Sequence, residues 1–124
     1  MRLWLFLAAL NGLLAMVAGA YGAHALEVTD TGFRDIFMTA VQYHMWHALA
    51  LLAVACLASR PDAPGAPALR VAGWAFTIGI ALFSGSLYAR GVTGSVLVPG
   101  MAPAGGISLL LGWAALIWAA LARK

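Results

Sequence analysis

The chain has 124 residues, of which 64% are hydrophobic and only 9% are charged. A soluble domain typically carries about a quarter charged residues, so this composition excludes an ordinary soluble domain. The formal net charge of +3 does not indicate nucleic-acid binding, because the basic residues flank apolar runs and serve there as topology anchors. We therefore predict one all-α membrane domain that covers residues 1–124.

Four apolar runs are long enough to cross a hydrocarbon core of about 30 Å at about 1.5 Å per residue. They occupy residues 3–25, 36–58, 69–89 and 102–122. The breaks between them collect carboxylates, prolines and glycines, which do not continue a membrane helix. This pattern predicts a membrane-embedded four-helix bundle.

The first run also has features of a secretory signal peptide. Arg2 precedes the apolar segment, and Ala23, His24 and Ala25 form a small-residue cleavage pattern. However, the apolar run exceeds the usual length of about 7–15 residues for a signal peptide, and three more spans follow. We therefore expect this run to remain as the first membrane helix.

The basic residues are distributed unequally across the predicted membrane. With four spans, one side receives Arg2, Arg60, Arg70, Arg123 and Lys124. The other side receives only Arg34 and Arg90. The positive-inside rule then predicts that the N and C termini are both cytoplasmic. The tryptophans near the inner boundary and the tyrosines near the outer one favour the same topology.

Small and weakly polar residues mark close helix contacts in membranes, because lipid removes the ordinary hydrophobic drive for helix association. The candidate packing residues are Asn11, Gly22, Thr77, Gly105, Gly106, Ser108 and Gly112. In the third run Thr77, Ala81, Ser84 and Tyr88 share one face at helical spacing. Such a face can line a polar path, but tight helix contact is the interpretation that we favour.

The second run carries His44 and His47 within an otherwise apolar segment. Counting back from Arg60, His47 lies roughly 18 Å above the inner boundary. A neutral imidazole at that depth has a donor and an acceptor to satisfy, so it should face protein or a cavity. The predicted polar cluster or ligand-binding site comprises His24, Tyr43, His47, Ser84, Ser86, Tyr88 and Arg90.

His44 and His47 are also the candidate metal ligands, since residues spaced i, i+3 project from neighbouring positions on a helix. A complete site needs a third ligand, which would be His24 or Glu27. The sequence has no HxxxH, HExxH or CxxC pattern to reinforce this hypothesis. The serines of the third run have no G-x-S-x-G context, so no catalytic residue is predicted and the cofactor is left open.

Four motifs occur in order along the chain: GAYGAHAL at 19–26, QYHMWHALALL at 42–52, FSGSLY at 83–88 and PAGG at 103–106. Together they resemble the small bacterial membrane-protein family catalogued as domain of unknown function 423, which has a eukaryotic transmembrane relative. The resemblance covers essentially the whole chain and implies a four-span protein of the inner membrane. It singles out His24, Tyr43, His47, Ser84, Ser86, Tyr88, Pro103, Gly105 and Gly106.

The chain departs from the family pattern at two positions. Tyr21 stands where the family more usually has Phe, and His44 stands where Gln is common. A metal site that needs His44 therefore cannot be the shared function of the family. The resemblance implies a fold and a location, but it implies no biochemical activity.

We expect a non-enzymatic integral membrane protein whose His-containing polar site opens toward the outer face of the inner (plasma) membrane. It should act in the lipid bilayer as a homo-oligomer or as the partner of another membrane protein. The alternative is a small proton or metal-cation channel or transporter formed at an oligomer interface. An enzyme is the third possibility.

Overall fold

The structure, a computed structural model, describes residues 2–24, 31–63, 65–96 and 98–122. Within these ranges there are four long helices and no strand. All four are long and apolar enough to cross a membrane, which confirms the predicted all-helical membrane fold. Some residues used in the sequence predictions lie outside the described residues: Ala25, Glu27, Arg123 and Lys124.

The four helices are α1 (Arg2–His24), α2 (Thr31–Ala58), α3 (Ala66–Thr93) and α4 (Met101–Leu121). The third contains a short π-helical segment, Ile80–Ser84, between the α-helical parts Ala66–Gly79 and Gly85–Thr93. At about 1.5 Å per residue, each helix matches or exceeds a hydrocarbon core of about 30 Å.

The second helix begins at Thr31, five residues before the predicted start at residue 36. Arg34, expected in a loop, is therefore helical. Its guanidinium donates hydrogen bonds to the carbonyls of Gly22 at 3.3 Å and Ala23 at 3.5 Å. These carbonyls belong to the last turn of α1, where backbone acceptors have no helical partner and the helix dipole favours a cation. The apolar run thus marked the edge of the hydrophobic segment and not the end of the helix.

The third helix is longer than its apolar run at both ends. It begins at Ala66, because Pro67 lies in the first turn, where a backbone N–H is not needed. It continues to Thr93 and ends at Gly94, whose φ of 75° is left-handed. The Gly94 N–H donates to the carbonyl of Arg90 at 2.8 Å, so Arg90 lies in the last helical turn and not in the loop.

Each outer helix packs mainly on one inner helix: α1 lies along α2, α4 lies along α3, and α2 and α3 meet between them. The fully buried centre includes Leu51 and Val54 of α2 and Phe76 of α3. Near its N-terminus α1 also reaches α3, where the ring of Trp4 covers Gly73 and a Cβ at Gly73 would lie 2.5 Å from that ring. The first helix is the least buried of the four spans, so most of its remaining surface is left to face lipid.

Glycines bring α4 close to α3. A side chain at Gly105 would collide with the backbone of Phe83 inside the π-helical segment. About two turns further along α4, a Cβ at Gly112 would lie 2.5 Å from the ring of Phe76. Small residues at helix interfaces let two backbones approach in this way. The contact fixes the position of α4, and with it the side chains that α4 directs at α2.

Candidate functional site

Three polar side chains are buried among the described residues, all of them on the two inner helices. His44 and His47 of α2 are each 5% exposed, and Ser84 of α3 is 1% exposed. Throughout the described residues, every buried side-chain nitrogen and oxygen has a hydrogen-bond partner. The two histidines lie one turn apart on α2 but have entirely different partners.

His47 is bonded at both ring nitrogens. The indole N–H of Trp113, which is only a donor, lies 3.0 Å from Nε2 of His47. Nε2 must therefore carry a lone pair, and the proton resides on Nδ1. Nδ1 lies 2.6 Å from the carbonyl oxygen of Tyr43, to which it donates. These two contacts fix His47 as a neutral imidazole of the Nδ1–H tautomer.

His44 has the opposite tautomer. Asn11 donates through its amide nitrogen to the carbonyl of Leu7 at 2.8 Å, so its Oδ1 is free to accept. Nε2 of His44 lies 2.9 Å from that oxygen and donates to it. The Tyr88 hydroxyl lies 2.7 Å from Nδ1 of the neutral ring and donates to it. A single directional chain of hydrogen bonds thus joins α3, α2 and α1.

Ser84 links the π-helical segment to α2. Its hydroxyl donates to the carbonyl of Ala40 at 3.0 Å, in a fully buried position. On the other side of the bundle, the hydroxyl of Ser108 donates to the carbonyl of Ala75 at 2.7 Å and joins α4 to α3. Hydrogen bonds of this kind are typical contacts between membrane helices. They hold the register of α3 between its two neighbours.

A groove of about 750 Å³ lies beside His47, between α2 and α4. Its walls are mostly aromatic or aliphatic and include Tyr43, Trp46, Phe83, Pro103, Ile107 and Trp113. Tyr43 stacks on the His47 ring with an interplanar angle of 13° and a centroid distance of 6.1 Å. Among the described residues the Tyr43 hydroxyl has no hydrogen-bond partner. The groove therefore combines apolar walls with one available hydroxyl.

A second groove of about 700 Å³ separates α1 from α3 beside His44. Its polar lining is formed by Asn11, Tyr21, His44, Thr77 and Tyr88. Three of these side chains belong to the hydrogen-bond chain described above, and the Thr77 hydroxyl donates to the carbonyl of Gly73 in its own helix at 2.8 Å. Four of these five polar side chains are therefore engaged with one another or with the backbone, whereas the Tyr21 hydroxyl has no hydrogen-bond partner among the described residues.

Residues 18–106 match the family described as Protein of unknown function (DUF423). The UPF0382 membrane protein YwdK of Bacillus subtilis is 41% identical over 122 residues, which cover 97% of each chain. The chain belongs to the DUF423 family.

More distant relatives lead to the same family. The UPF0382 membrane protein of Haemophilus influenzae is 35% identical and aligns with 98% of this chain and 95% of its own length. The UPF0382 inner membrane protein YgdD of Escherichia coli is 32% identical and aligns with 99% of this chain and 92% of its own. No solved structure matches. As a DUF423 member with four membrane-crossing helices, the chain is an integral membrane protein.

The structure brings together part of the residue set that the DUF423 resemblance singles out. Tyr43 and His47 form one wall of the groove beside α4, where Pro103 and Gly106 also lie. Tyr88 belongs instead to the group around His44. The predicted cluster is therefore divided between two faces of α2.

Three predicted cluster residues lie away from both histidines. His24 is exposed at the end of α1, Arg90 is exposed in the last turn of α3, and Ser86 is half-buried. In the described part of the chain, no hydrogen bond joins any of these side chains to His44 or His47. Their place in the site stays a prediction.

Two important partners were missed or underrated from the sequence. Trp113 was not assigned to the cluster, and Asn11 was assigned only to helix packing. Tryptophan favours the membrane interface, yet Trp113 lies twelve residues into α4, roughly 18 Å along the helix. An indole N–H at that depth needs an acceptor. That position is the sequence signal by which Trp113 could have been found.

Metal binding at His44 and His47 gains no further ligand from the structure. The described residues contain no group of three or more His, Cys, Asp or Glu side chains that could hold an ion. Both nitrogens of each ring already have partners in the protein, so an ion would have to displace one of them. The metal hypothesis stays a prediction.

Proposed function

We propose that this DUF423 member is a non-enzymatic protein of the inner membrane that binds an apolar, membrane-dissolved molecule in the groove beside His47. The observation that carries the proposal is the way His47 is held. Both of its nitrogens are bonded within the protein, to Trp113 and to the Tyr43 carbonyl. The ring therefore contributes an uncharged aromatic surface to an aromatic groove of about 750 Å³. That volume falls within the usual range of about 300–1,000 Å³ for small-molecule sites.

The state of the polar groups favours binding over catalysis. A general base needs a free lone pair, and the Nε2 lone pair of His47 already accepts the Trp113 N–H. A nucleophilic serine needs an adjacent base, but the Ser84 hydroxyl donates to a backbone carbonyl and is fully buried. The groups that a hydrolytic or transfer reaction would use are committed to the fold.

The free hydroxyl of Tyr43 suggests the chemistry of the ligand. A phenol can donate one hydrogen bond to a carbonyl, ester or ether oxygen while its ring packs against apolar carbon. The other walls are carbon-rich: the Trp113 indole and the His47 ring are bonded to each other, and the Trp46 N–H is the one further unpaired donor among the described lining residues. We therefore propose a ligand with an extended or planar apolar body and one hydrogen-bond acceptor.

The alternative expectation, a proton or metal-cation channel, has less support. In the chain of hydrogen bonds around His44, the acceptor next to the ring is the amide oxygen of Asn11. An amide does not take up and release protons near neutral pH, so this chain is a poor proton relay. The bonded nitrogens of His47 likewise leave little room for cation exchange.

Topology and association complete the proposal. We propose that both termini are cytoplasmic, because five basic residues flank the inner side and two flank the outer side. In this orientation the groove beside His47 lies toward the outer face. A C-terminal reporter that fluoresces only in the cytoplasm tests this orientation, and a dark fusion would contradict it. A bundle of only four helices encloses little volume, so we also propose that the protein acts as a homo-oligomer or with a membrane-protein partner.

Two isoleucines of α4 provide a matched test of the groove. Ile107 lines it and is 59% exposed, whereas Ile117 is 63% exposed and lies outside it. An Ile107→Trp substitution fills the groove without disturbing the core, and Ile117→Trp adds the same bulk elsewhere. We expect organic extracts of purified wild type and Ile117→Trp to contain the same co-purifying apolar molecule when analysed by mass spectrometry. Ile107→Trp should retain roughly tenfold less of it.

Tyr43→Phe tests the role of the hydroxyl. It keeps the stacked ring and removes the only hydrogen-bond donor proposed for the ligand. The co-purifying molecule should be retained several times more weakly, by roughly the equivalent of one hydrogen bond. Identical extracts from wild type, Ile107→Trp and Tyr43→Phe would show that the groove holds only bulk lipid, and the proposal would then be wrong.

A further inference from the structure

Gln42 carries a side-chain amide that has no partner in the described part of the chain. It is exposed and lies within the membrane-crossing stretch Arg34–Ala58. It is eight residues from Arg34, so it lies roughly 12 Å into the span. The side-chain amide of Gln42 makes no hydrogen bond with any described residue. Polar side chains inside a span almost always face protein or a cavity, so an amide that faces lipid indicates a missing contact.

A second unpaired donor lies one turn away on the same side of α2. Trp46 is exposed near the middle of the span, and its indole N–H has no partner among the described residues. Tryptophan at the membrane interface can bond to headgroups or water, but roughly 18 Å from Arg34 neither is in reach. Gln42 and Trp46 both line the seam between α1 and α2, and Trp46 also borders the groove beside His47.

The surroundings of Gln42 allow another helix to approach closely. A shallow groove of about 400 Å³ runs along the seam of α1 and α2 and is lined by Met16, Gly19, Ala20, Gln42, Met45 and Trp46. A second groove of about 250 Å³ continues it past Met45 to Gly12. A Cβ added to Gly12 would meet nothing within 4 Å, so space is open there. We call this surface, from Gly12 to Gln42 and Trp46, the Gln42 face.

We propose that the Gln42 face is the interface of a parallel homodimer in which the two Gln42 amides hydrogen-bond to each other. A primary amide is self-complementary, because it has an N–H donor and a carbonyl acceptor. A two-fold axis along the membrane normal would pair each donor with the acceptor of the other copy. A second copy in the same orientation always presents its Gln42 at the same depth. This symmetry selects a second copy of the chain over an unrelated partner.

The inference rests on the proposed association of the chain but not on the ligand groove beside His47. Gln42→Leu removes the amide from a position that faces lipid in the monomer, so the monomer fold should survive. Gln42→Asn keeps the amide and is the matched control. With donor- and acceptor-labelled protein in liposomes, we expect energy transfer to show wild-type and Gln42→Asn dimers. Gln42→Leu should dimerise roughly tenfold or more weakly, as expected for the loss of paired interhelical hydrogen bonds.

Cysteine cross-linking locates the interface independently. In a Cys56→Ala background, which removes the exposed native thiol, Gly12→Cys should form an oxidised dimer and Ile117→Cys should not. A wild-type dimer that is unaffected by Gln42→Leu and cross-links at Ile117→Cys would overturn the Gln42 face while leaving association intact. A monomeric wild type in liposomes would overturn both. Neither result bears on the ligand groove, which the Ile107→Trp extracts test separately.

Discussion

The indole N–H of Trp113 in α4 donates to Nε2 of His47 in α2 over 3.0 Å, across the middle of the bundle. The two rings also meet edge to face, with centroids 5.8 Å apart and an interplanar angle of 67°. Phe76 packs against both of them, at 5.2 Å from Trp113 and 5.6 Å from His47. One hydrogen bond and one ring contact therefore connect α2 to α4 directly, and Phe76 of α3 adds a ring contact to each.

Trp113→Phe should destabilise the protein, because it keeps most of the aromatic contact but leaves the buried Nε2 of His47 without a donor. Hydrogen bonds between membrane helices contribute about 0.6–2 kcal/mol, so we expect a loss of this size in the free energy of unfolding. Unfolding in mixed detergent and sodium dodecyl sulfate micelles measures it. Trp118→Phe, in the same helix at an exposed residue, is the control and should change little. Equal losses in both variants would mean that the bond is not significant.

The two histidines should show opposite tautomers in nitrogen-15 NMR spectra of histidine-labelled protein in a bilayer mimic. His47 should carry its proton on Nδ1, because Trp113 occupies Nε2, and His44 should carry its proton on Nε2, because Asn11 accepts there. His24, which is exposed, provides an internal reference. The pattern for His47 should reverse or become mixed in Trp113→Phe. The same tautomer at both buried histidines would contradict the assigned hydrogen bonds.

His44→Gln should be tolerated far better than His44→Leu. Glutamine supplies one donor for Asn11 and one acceptor for the Tyr88 hydroxyl, as the neutral ring does. Leucine satisfies neither, so two polar groups inside the bundle lose their partner. We expect about 1–2 kcal/mol less stability for His44→Leu and a smaller change for His44→Gln in the same unfolding assay. Similar losses for both variants would show that ring packing, and not hydrogen bonding, determines this position.

The sequence was sufficient for the number and location of the helices, because a run of about 20 apolar residues has few alternatives to a membrane span. It was not sufficient for the helix ends. Arg34 shows why: a cation that returns to the carbonyls of Gly22 and Ala23 extends α2 beyond its apolar run. Hydrogen-bonded termini of this kind depend on a neighbouring helix, which hydropathy does not describe.

The division of the polar cluster also depends on tertiary contacts. An ideal helix places Thr77, Ala81, Ser84 and Tyr88 on one face, as their spacing in the sequence predicts. In the structure Thr77, Ala81 and Tyr88 line the groove beside His44, whereas Ser84 bonds to α2. The π-helical segment Ile80–Ser84 changes the residue spacing between them. Which histidine meets which partner follows from that local change and from the close approach of α4 to α3, and neither has a signature in the apolar pattern.

Two adjacent glycines in α4 should respond differently to alanine. A Cβ at Gly105 would collide with the backbone of Phe83, which cannot move aside as a flexible side chain can. A Cβ at Gly106 would lie 3.7 Å from the ring of Phe83, an ordinary van der Waals distance. Gly105→Ala should therefore cost about 1–3 kcal/mol of unfolding free energy through overpacking, and Gly106→Ala should stay within about 0.5 kcal/mol of wild type.

The pair also tests whether the groove depends on the contact between α4 and α3. Gly105→Ala should displace α4 from α3. Since Trp113 lies on the same helix, its hydrogen bond to His47 should then lengthen. The nitrogen-15 signal of His47 Nε2 should then shift in Gly105→Ala and stay unchanged in Gly106→Ala. If both variants keep the wild-type signal and stability, the close approach at Gly105 is relieved locally, and the π-helical segment does not control how α4 reaches His47.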